Sequence, residues 1–426
     1  MRAAFRLLTG IATAVALVAL APHPGFAQVE LGFATFLDPN NASDPRVGAQ
    51  ARMISAFEQK NPGTKIKIVL DPAGSNILRA AKSGAASPDV ARVTSYGLPE
   101  VMATGGLLPL DRFIAANKVD GNDWLIPLDA SKLDGHYWGM PQDFRIPLLM
   151  YRKSLLSAAG VQPPATWDQV CSAGGKLTTG TVIGYAVPLG ASGGTGGVQA
   201  LGEYVLSTML APDGKYFAPD GRTIAFSKET FVRAAQTIKD LYGSCKATPA
   251  TSAQFGYNEV HDGLRAGTVA MASFGLARFG AIRRQGAGED LQWAPPPGYD
   301  ATEKQTVFGF MLVINAKSAH PDEAWKFVSF MTSPEGQAIQ AQGGEVVARA
   351  SAYADAYFST PDAANQKAWA ELVKTRGQLV SYSVILTTFH EIVGEALQRM
   401  ILRNGQPEAA YDEVAKRYGD AVAKLR

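Results

Sequence analysis

From Val29 onward, short runs rich in β-branched residues alternate with segments of helical spacing, and this alternation restricts the fold more than any other feature. Residues 29–36 (VELGFATF) have strand character and end in turn formers, Asp38, Pro39, Asn40 and Asn41. Residues 46–59 carry Val47, Met53, Ile54 and Phe57 at helical spacing and stop at Asn61-Pro62-Gly63. Residues 65–70 alternate as a strand, 77–82 have helical spacing, and 88–93 form a short strand running into Tyr96-Gly97. This order predicts an α/β domain with a largely parallel sheet. Ligands of such sheets lie beyond the carboxyl ends of the strands, here residues 36–41 and 94–96.

A second rhythm follows Trp138-Gly139-Met140-Pro141. Strands are predicted over 147–151, 182–187 and 269–274, and helices from Thr166, over 197–210 and over 231–242. Beyond the rigid Pro295-Pro296-Pro297-Gly298 break come a strand at 310–315 and an amphipathic helix at 322–331. A helical tail from Thr387 is interrupted at Asn404-Gly405-Gln406-Pro407. A chain of 426 residues has room for two separate cores.

The amino terminus reads as an export signal. Arg2 and Arg6 precede an apolar run over 7–21, and Gly25-Phe26-Ala27 places small residues before Gln28. Cleavage is expected after Ala27, leaving a periplasmic chain; the alternative, an uncleaved anchor, needs ~20 apolar residues and the run is shorter. No Cys follows the run to carry a lipid. Lys plus Arg number 40 and Asp plus Glu 38, so losing Arg2 and Arg6 leaves the signs balanced. That removes a bulk electrostatic case for nucleic acid or an anionic membrane. Cys171 and Cys245 are the two cysteines; they form either one disulfide or two free thiols, and two cysteines cannot alone make a tetrahedral zinc site.

The chemical motifs are thin. Gly190-Ala191-Ser192-Gly193-Gly194 satisfies G-x-S-x-G between a predicted strand and helix, with His261, His320 and His390 downstream, so a secreted serine hydrolase using Ser192 stands as an alternative. The run of glycines through Gly197 fits a cleft-lining loop better than a tight nucleophile elbow. His390-Glu391 lacks the second His of a zinc-protease helix, since Gly394 stands there, and no phosphate-binding loop or EF-hand occurs. No cofactor and no metal are expected. Tyr96, Tyr137, Trp138, Phe274 and Phe308 lie near strand-to-loop junctions, where aromatic planes can bury sugar C–H faces while Asp, Asn, Arg and Glu bond the hydroxyls.

Taken in order, several segments resemble the family 1 extracellular solute-binding proteins, the sugar-type receptors of bacterial ABC importers. Phe57–Gly63 with Lys65–Ile68, Pro88-Asp89-Val90, and Gly106-Leu107-Leu108-Pro109-Leu110 are similar to motifs of that family. So are Tyr137-Trp138-Gly139-Met140-Pro141, Leu149-Met150-Tyr151-Arg152-Lys153, Pro164-Ala165-Thr166-Trp167-Asp168, and Ala324–Val328 with Thr332–Glu335. The resemblance implies two α/β lobes of the periplasmic-binding-protein type, residues 28–141 with 315–346 and residues 146–309 with 349–426. Three hinge crossings would lie near 141–145, 309–312 and 345–349. It also implies a non-enzymatic monomer that closes on a solute and docks on an ABC permease.

By the same resemblance, ligand contacts fall on Phe36 and Asp38 after the first strand, Tyr96, Asp143 and Arg145 at the first crossing, and Ser192 and Gly193 in the glycine loop. Phe274 stands where relatives often stack a Trp, Phe308-Gly309 where they carry Gly-Gly, and Glu345, Arg349 and Tyr382 complete the set. Trp167 and Trp325 sit in packing motifs. Relatives usually carry Trp near the first loop, whereas this chain has Phe36 and a polar stretch with Asp38, Asp44 and Arg46. A neutral mono- or oligosaccharide is the expected solute; a sugar acid, polyol, sugar phosphate or amine-bearing solute is the alternative, with Arg145 and Arg349 able to pair an anion. A chemosensory receptor that presents solute without transport shares the same site.

Overall fold

The computed structural model describes residues 28–71, 76–83, 87–190, 201–210, 215–218, 220–379 and 383–425. The strands are β1 (Val29–Thr35), β2 (Thr64–Leu70), β3 (Val90–Thr94), β4 (Met140–Arg145), β5 (Pro147–Arg152), β6 (Ile183–Tyr185), β7 (Val269–Gly275), β8 (Leu291–Ala294), β9 (Gln305–Ile314), β10 (Val346–Val347) and β11 (Gly377–Leu379). One sheet runs β10–β4–β9–β3–β1–β2, with β11 also against β9; the other runs β6–β7–β5–β8.

The expectation of largely parallel sheets holds only locally. β1 pairs parallel with β2 and β3, as a strand–helix–strand chain must. β9 then pairs antiparallel with both β3 and β4, because it re-enters the first sheet from the side of the second. β5 pairs antiparallel with β7 and β8, and only β6–β7 is parallel there. Both sheets are therefore mixed. β9 begins at Gln305, earlier than the apolar run predicted, because Gln305 and Thr306 are buried polar residues inside the strand. Its first residues pair with β11, so this sheet draws in 305–309 and 377–379, which the sequence reading placed with the second lobe.

Local chemistry sets the helices. Pro45–Lys60 starts at Asp44, whose carboxylate accepts from the Arg46 amide, with Pro45 at the first helical position. Its Met53 and Phe57 are buried, and Phe57 meets Phe327 edge-on at 5.1 Å. Helix Trp167–Leu177 is capped by Thr166, and Trp167 packs edge-on against Tyr185. Trp325, on helix Pro321–Met331, is buried and stacks on Phe113 at 5.2 Å. The second sheet is backed by the helices Lys228–Tyr242, Leu386–Leu402 and Pro407–Val422, with Phe217, Phe231, Phe389 and Tyr418 in one core. A second core runs without a break from Leu31 and Phe33 to Leu148 and Phe274, so the two sheets share a packed seam. Cys171 and Cys245 are bonded, with Cα atoms 5.0 Å apart, tying Trp167–Leu177 to the segment after Lys228–Tyr242. Among the described residues no helix is long and apolar enough to cross a membrane.

Candidate functional site

The carboxyl ends of β1 and β3 and the crossings between the sheets converge on one polar centre. β9 lies between β3 and β4 with Thr94 opposite Phe310, Asp143 opposite Phe310 and Arg145 opposite Phe308. β10 puts Val347 beside Asp143. An irregularity between Pro141 and Asp143 re-aims the β4 side chains. Gly309 sits at the tightest point: a Cβ there would stand 2.1 Å from the Asp143 carbonyl oxygen. Its backbone is engaged as well: the amide donates to Ser95 Oγ at 3.2 Å and the carbonyl accepts from the Ser95 amide at 2.8 Å.

Arg92 is the hub. It is buried on β3 and its Nη2 donates to Asp143 Oδ2 at 2.5 Å and to Glu345 Oε1 at 2.6 Å. Glu345 also receives Gln340 Nε2 at 2.8 Å, and buried Gln337 donates to the Gln142 carbonyl at 2.8 Å and accepts the Ala348 amide. Helix Pro334–Ala341 thereby fastens the third crossing to the first. Arg145 stands 3.5 Å from Asp143 Oδ1 and 3.8 Å from Glu345 Oε1, longer than hydrogen bonds, and is 22% exposed. Its Nη2 and Asp143 Oδ1 are buried without a hydrogen-bond partner. Burial and then the neighbouring Glu345 charge push Asp143 above the usual carboxylate range, against Arg92 and Arg145. Burial opposes ionisation of Glu345 too, but Arg92, Arg46 and Arg145 outweigh it and hold that carboxyl low.

The second sheet's side contributes Glu203 and Tyr204 from a π-helical turn, Gly202–Leu206. Gly202 is required, because a Cβ would stand 2.4 Å from Nδ1 of buried His390. Glu203 is 6% exposed. Burial pushes its carboxyl up to about 7, against the Arg145 charge and a hydrogen bond with Tyr96. Tyr96 follows β3, so this contact joins the two walls.

The structure brings together Phe36, Tyr96, Asp143, Arg145, Phe308, Gly309 and Glu345. Phe36 packs on Phe310 at 5.0 Å, and Tyr96 meets Phe308 edge-on at 6.0 Å. Asp38 folds back on its own loop, accepting from the Asn40 amide at 2.9 Å and from Asn40 Nδ2 at 3.0 Å. Phe274 is wholly buried, flanked by Tyr204 at 5.7 Å and Tyr257 at 4.8 Å. Arg349 pairs with Asp123 at 2.9 Å and lies over Trp124, which accounts for its charge without a ligand. Ser192, Gly193 and Tyr382 lie outside the described residues. Arg92 and Glu203 escaped the sequence reading; each is a lone charge in an otherwise apolar element, VARVT and GEYVLSTML, and that isolation was the available signal.

Two mixed α/β sheets with polar crossings and charged groups gathered between them define a two-lobed binding protein. Residues 42–338 match the family described as bacterial extracellular solute-binding protein, and the chain belongs to that family. The sugar-binding protein MalE from the phytopathogen Xanthomonas citri superposes with a TM-score of 0.76 at 21% identity, covering 93% of this chain and 98% of MalE. UgpB from Mycobacterium tuberculosis, solved with glycerophosphocholine, gives a TM-score of 0.72 at 21% identity over 92% of this chain and 98% of UgpB. By sequence, the ABC transporter periplasmic-binding protein YcjN of Escherichia coli K12 is 25% identical over 306 residues, 68% of this chain and 67% of YcjN. Two further relatives are matched over 44% and 49% of their own lengths, so the chain spans about half of each.

Proposed function

We propose that this chain is the solute receptor of an ABC importer, capturing a carbohydrate between its lobes and delivering it to the permease without catalysing a reaction. The observation that carries the reading is the meeting of hydrogen-bonding edges from both walls at one place. Arg145 and Asp143 come from the first crossing, Glu203 from the helical turn on the second sheet's side, and Tyr96 from the end of β3. Such groups touch a solute together only when the lobes are closed, which supplies the differential affinity that shifts a hinge. Family membership and the likeness to sugar-binding structures support the same reading. Ser192, Gly193 and Tyr382 complete the proposed site with Phe36, Phe308, Gly309 and Glu345. The proposed lobes change over at the three crossings, 141–145, 309–312 and 345–349, with 305–309 and 377–379 moved to the first lobe by their pairing in its sheet, and the mature periplasmic monomer begins at Gln28.

Charge balance favours a neutral solute over a sugar acid or phosphate. Arg46 is paired by Asp44, and Arg92 by Asp143 and Glu345. The test is thermal unfolding of residues 28–426 with monosaccharides, oligosaccharides, polyols, uronates, sugar phosphates, amino acids and polyamines. A solute at a hundred times its Kd adds about 2.7 kcal/mol. A shift with carbohydrates supports the proposal; a shift confined to amino acids or polyamines refutes it.

A further inference from the structure

Apolar ring faces are what an extended sugar chain needs, because each added ring brings another C–H face to bury. On the first-sheet wall those faces are occupied. Guanidinium carbons of Arg46 and Arg92 lie 5.3 and 5.0 Å from the Phe36 centroid. Those of Arg92 and Arg145 both lie 4.4 Å from the Phe310 centroid, and the two rings also pack on each other. A cation within about 6 Å of a ring takes up the face that would otherwise stack a sugar. Opposite, Phe274 is enclosed between two tyrosines, and Arg278 lies 4.5 Å over one of them, Tyr257.

What the wall leaves unsatisfied is polar. Arg145 Nη2 is a donor and Asp143 Oδ1 an acceptor that make no hydrogen bond, two residues apart on β4; they are held by charge alone, Nη2 3.8 Å from Glu345 Oε1 and Oδ1 3.5 Å from Arg145 Nε. A vicinal diol offers one hydroxyl to each. Arg46, Arg92 and Arg145 face Asp44, Asp143 and Glu345, and Glu203, whose burial keeps its proton up to about 7, adds no full negative charge below that pH. We infer that the solute is a neutral monosaccharide or its polyol, held by its hydroxyl edge, because among the described residues the walls offer no free ring face for a second sugar. This rests on the carbohydrate reading above and narrows it.

The test is calorimetric titration of the mature chain with matched sets: glucose, maltose and maltotriose; xylose, xylobiose and xylotriose; mannose and mannobiose; with sorbitol, xylitol and mannitol, and with glucuronate. In whichever set binds, the monosaccharide or polyol is expected to bind at least as tightly as its dimer and trimer, and glucuronate about tenfold more weakly or worse. Tightening of about tenfold or more with an added ring overturns the inference and leaves the carbohydrate reading standing. Binding of glucuronate alone overturns neutrality. No binding by any of these overturns both readings together. A second protein, Arg46→Ala, checks the covering of Phe36 directly, with circular dichroism to confirm that it folds. Its disaccharide-to-monosaccharide affinity ratio is expected to rise severalfold, and an unchanged ratio in a folded variant refutes the role given to the guanidinium.

Discussion

Glu203 offers the sharpest test of the electrostatics. Its carboxyl ionises at 4.5 when free and at about 7 here, chiefly because burial disfavours the charge. Between those values the folded chain holds a proton that the unfolded chain has lost, so stability falls as pH rises through that window and levels off above it. At ~1.4 kcal/mol per unit the loss is about 3 kcal/mol. Glu203→Gln keeps the size and the bond to Tyr96 but cannot ionise. Urea unfolding of both proteins without solute, at pH 5, 6, 7 and 8, separates this group from the rest, because all other titrations are common to the pair. The two are expected to be similar at pH 5, with the variant ahead by about 3 kcal/mol at pH 8. Parallel pH profiles would mean that Glu203 ionises without penalty and that the wall is wetter than its burial implies.

Three further outcomes follow from the same structure. His390, held down to about 3 by burial, is neutral in the fold, so stability is present above pH 6.5 and drains away as pH falls toward 3. His390→Gln should retain about 3 kcal/mol more than wild type at pH 4 relative to pH 7, read by urea midpoints. Arg92→Met leaves Asp143 and Glu345 facing each other in the core and should cost ~3–5 kcal/mol, measured by chemical denaturation. Replacing Cys171 and Cys245 by Ala releases a loop spanning 74 residues and should cost up to about 4 kcal/mol, with a matching fall for wild type under reductant.

The rhythm of the chain revealed the strands of the first half because each is a local, β-branched run with a clear stop. Phe36 and Tyr96 were legible as candidate site residues for the same reason: a strand end is a local event. Asp143 and Arg145 stood out as charges out of place in a core, and Glu345 came from the family resemblance at the third crossing. Their common partner stood out by neither route. Arg92 meets Glu345 across 253 positions, and no local pattern encodes that meeting. The mixed sheets were hidden for a related reason, since the direction in which β9 re-enters depends on the path of the whole chain. Phe274 shows the limit of alternation: β7 is buried on both faces, so periodicity could not say which side its ring takes. Helix Pro334–Ala341 was passed over although Ser333 caps it, accepting from the Gly336 amide, because its short apolar stripe is interrupted by the glutamines that fasten the crossings.

The bond between Cys171 and Cys245 also decides how this chain can be instrumented. Both native cysteines are consumed, so the oxidised protein presents no thiol of its own. One cysteine introduced at Asn40, exposed in the loop beyond β1, would take a single environment-sensitive dye at a known place. The labelled receptor would then report its solute as a change in emission, turning an unlabelled binding event into an optical readout.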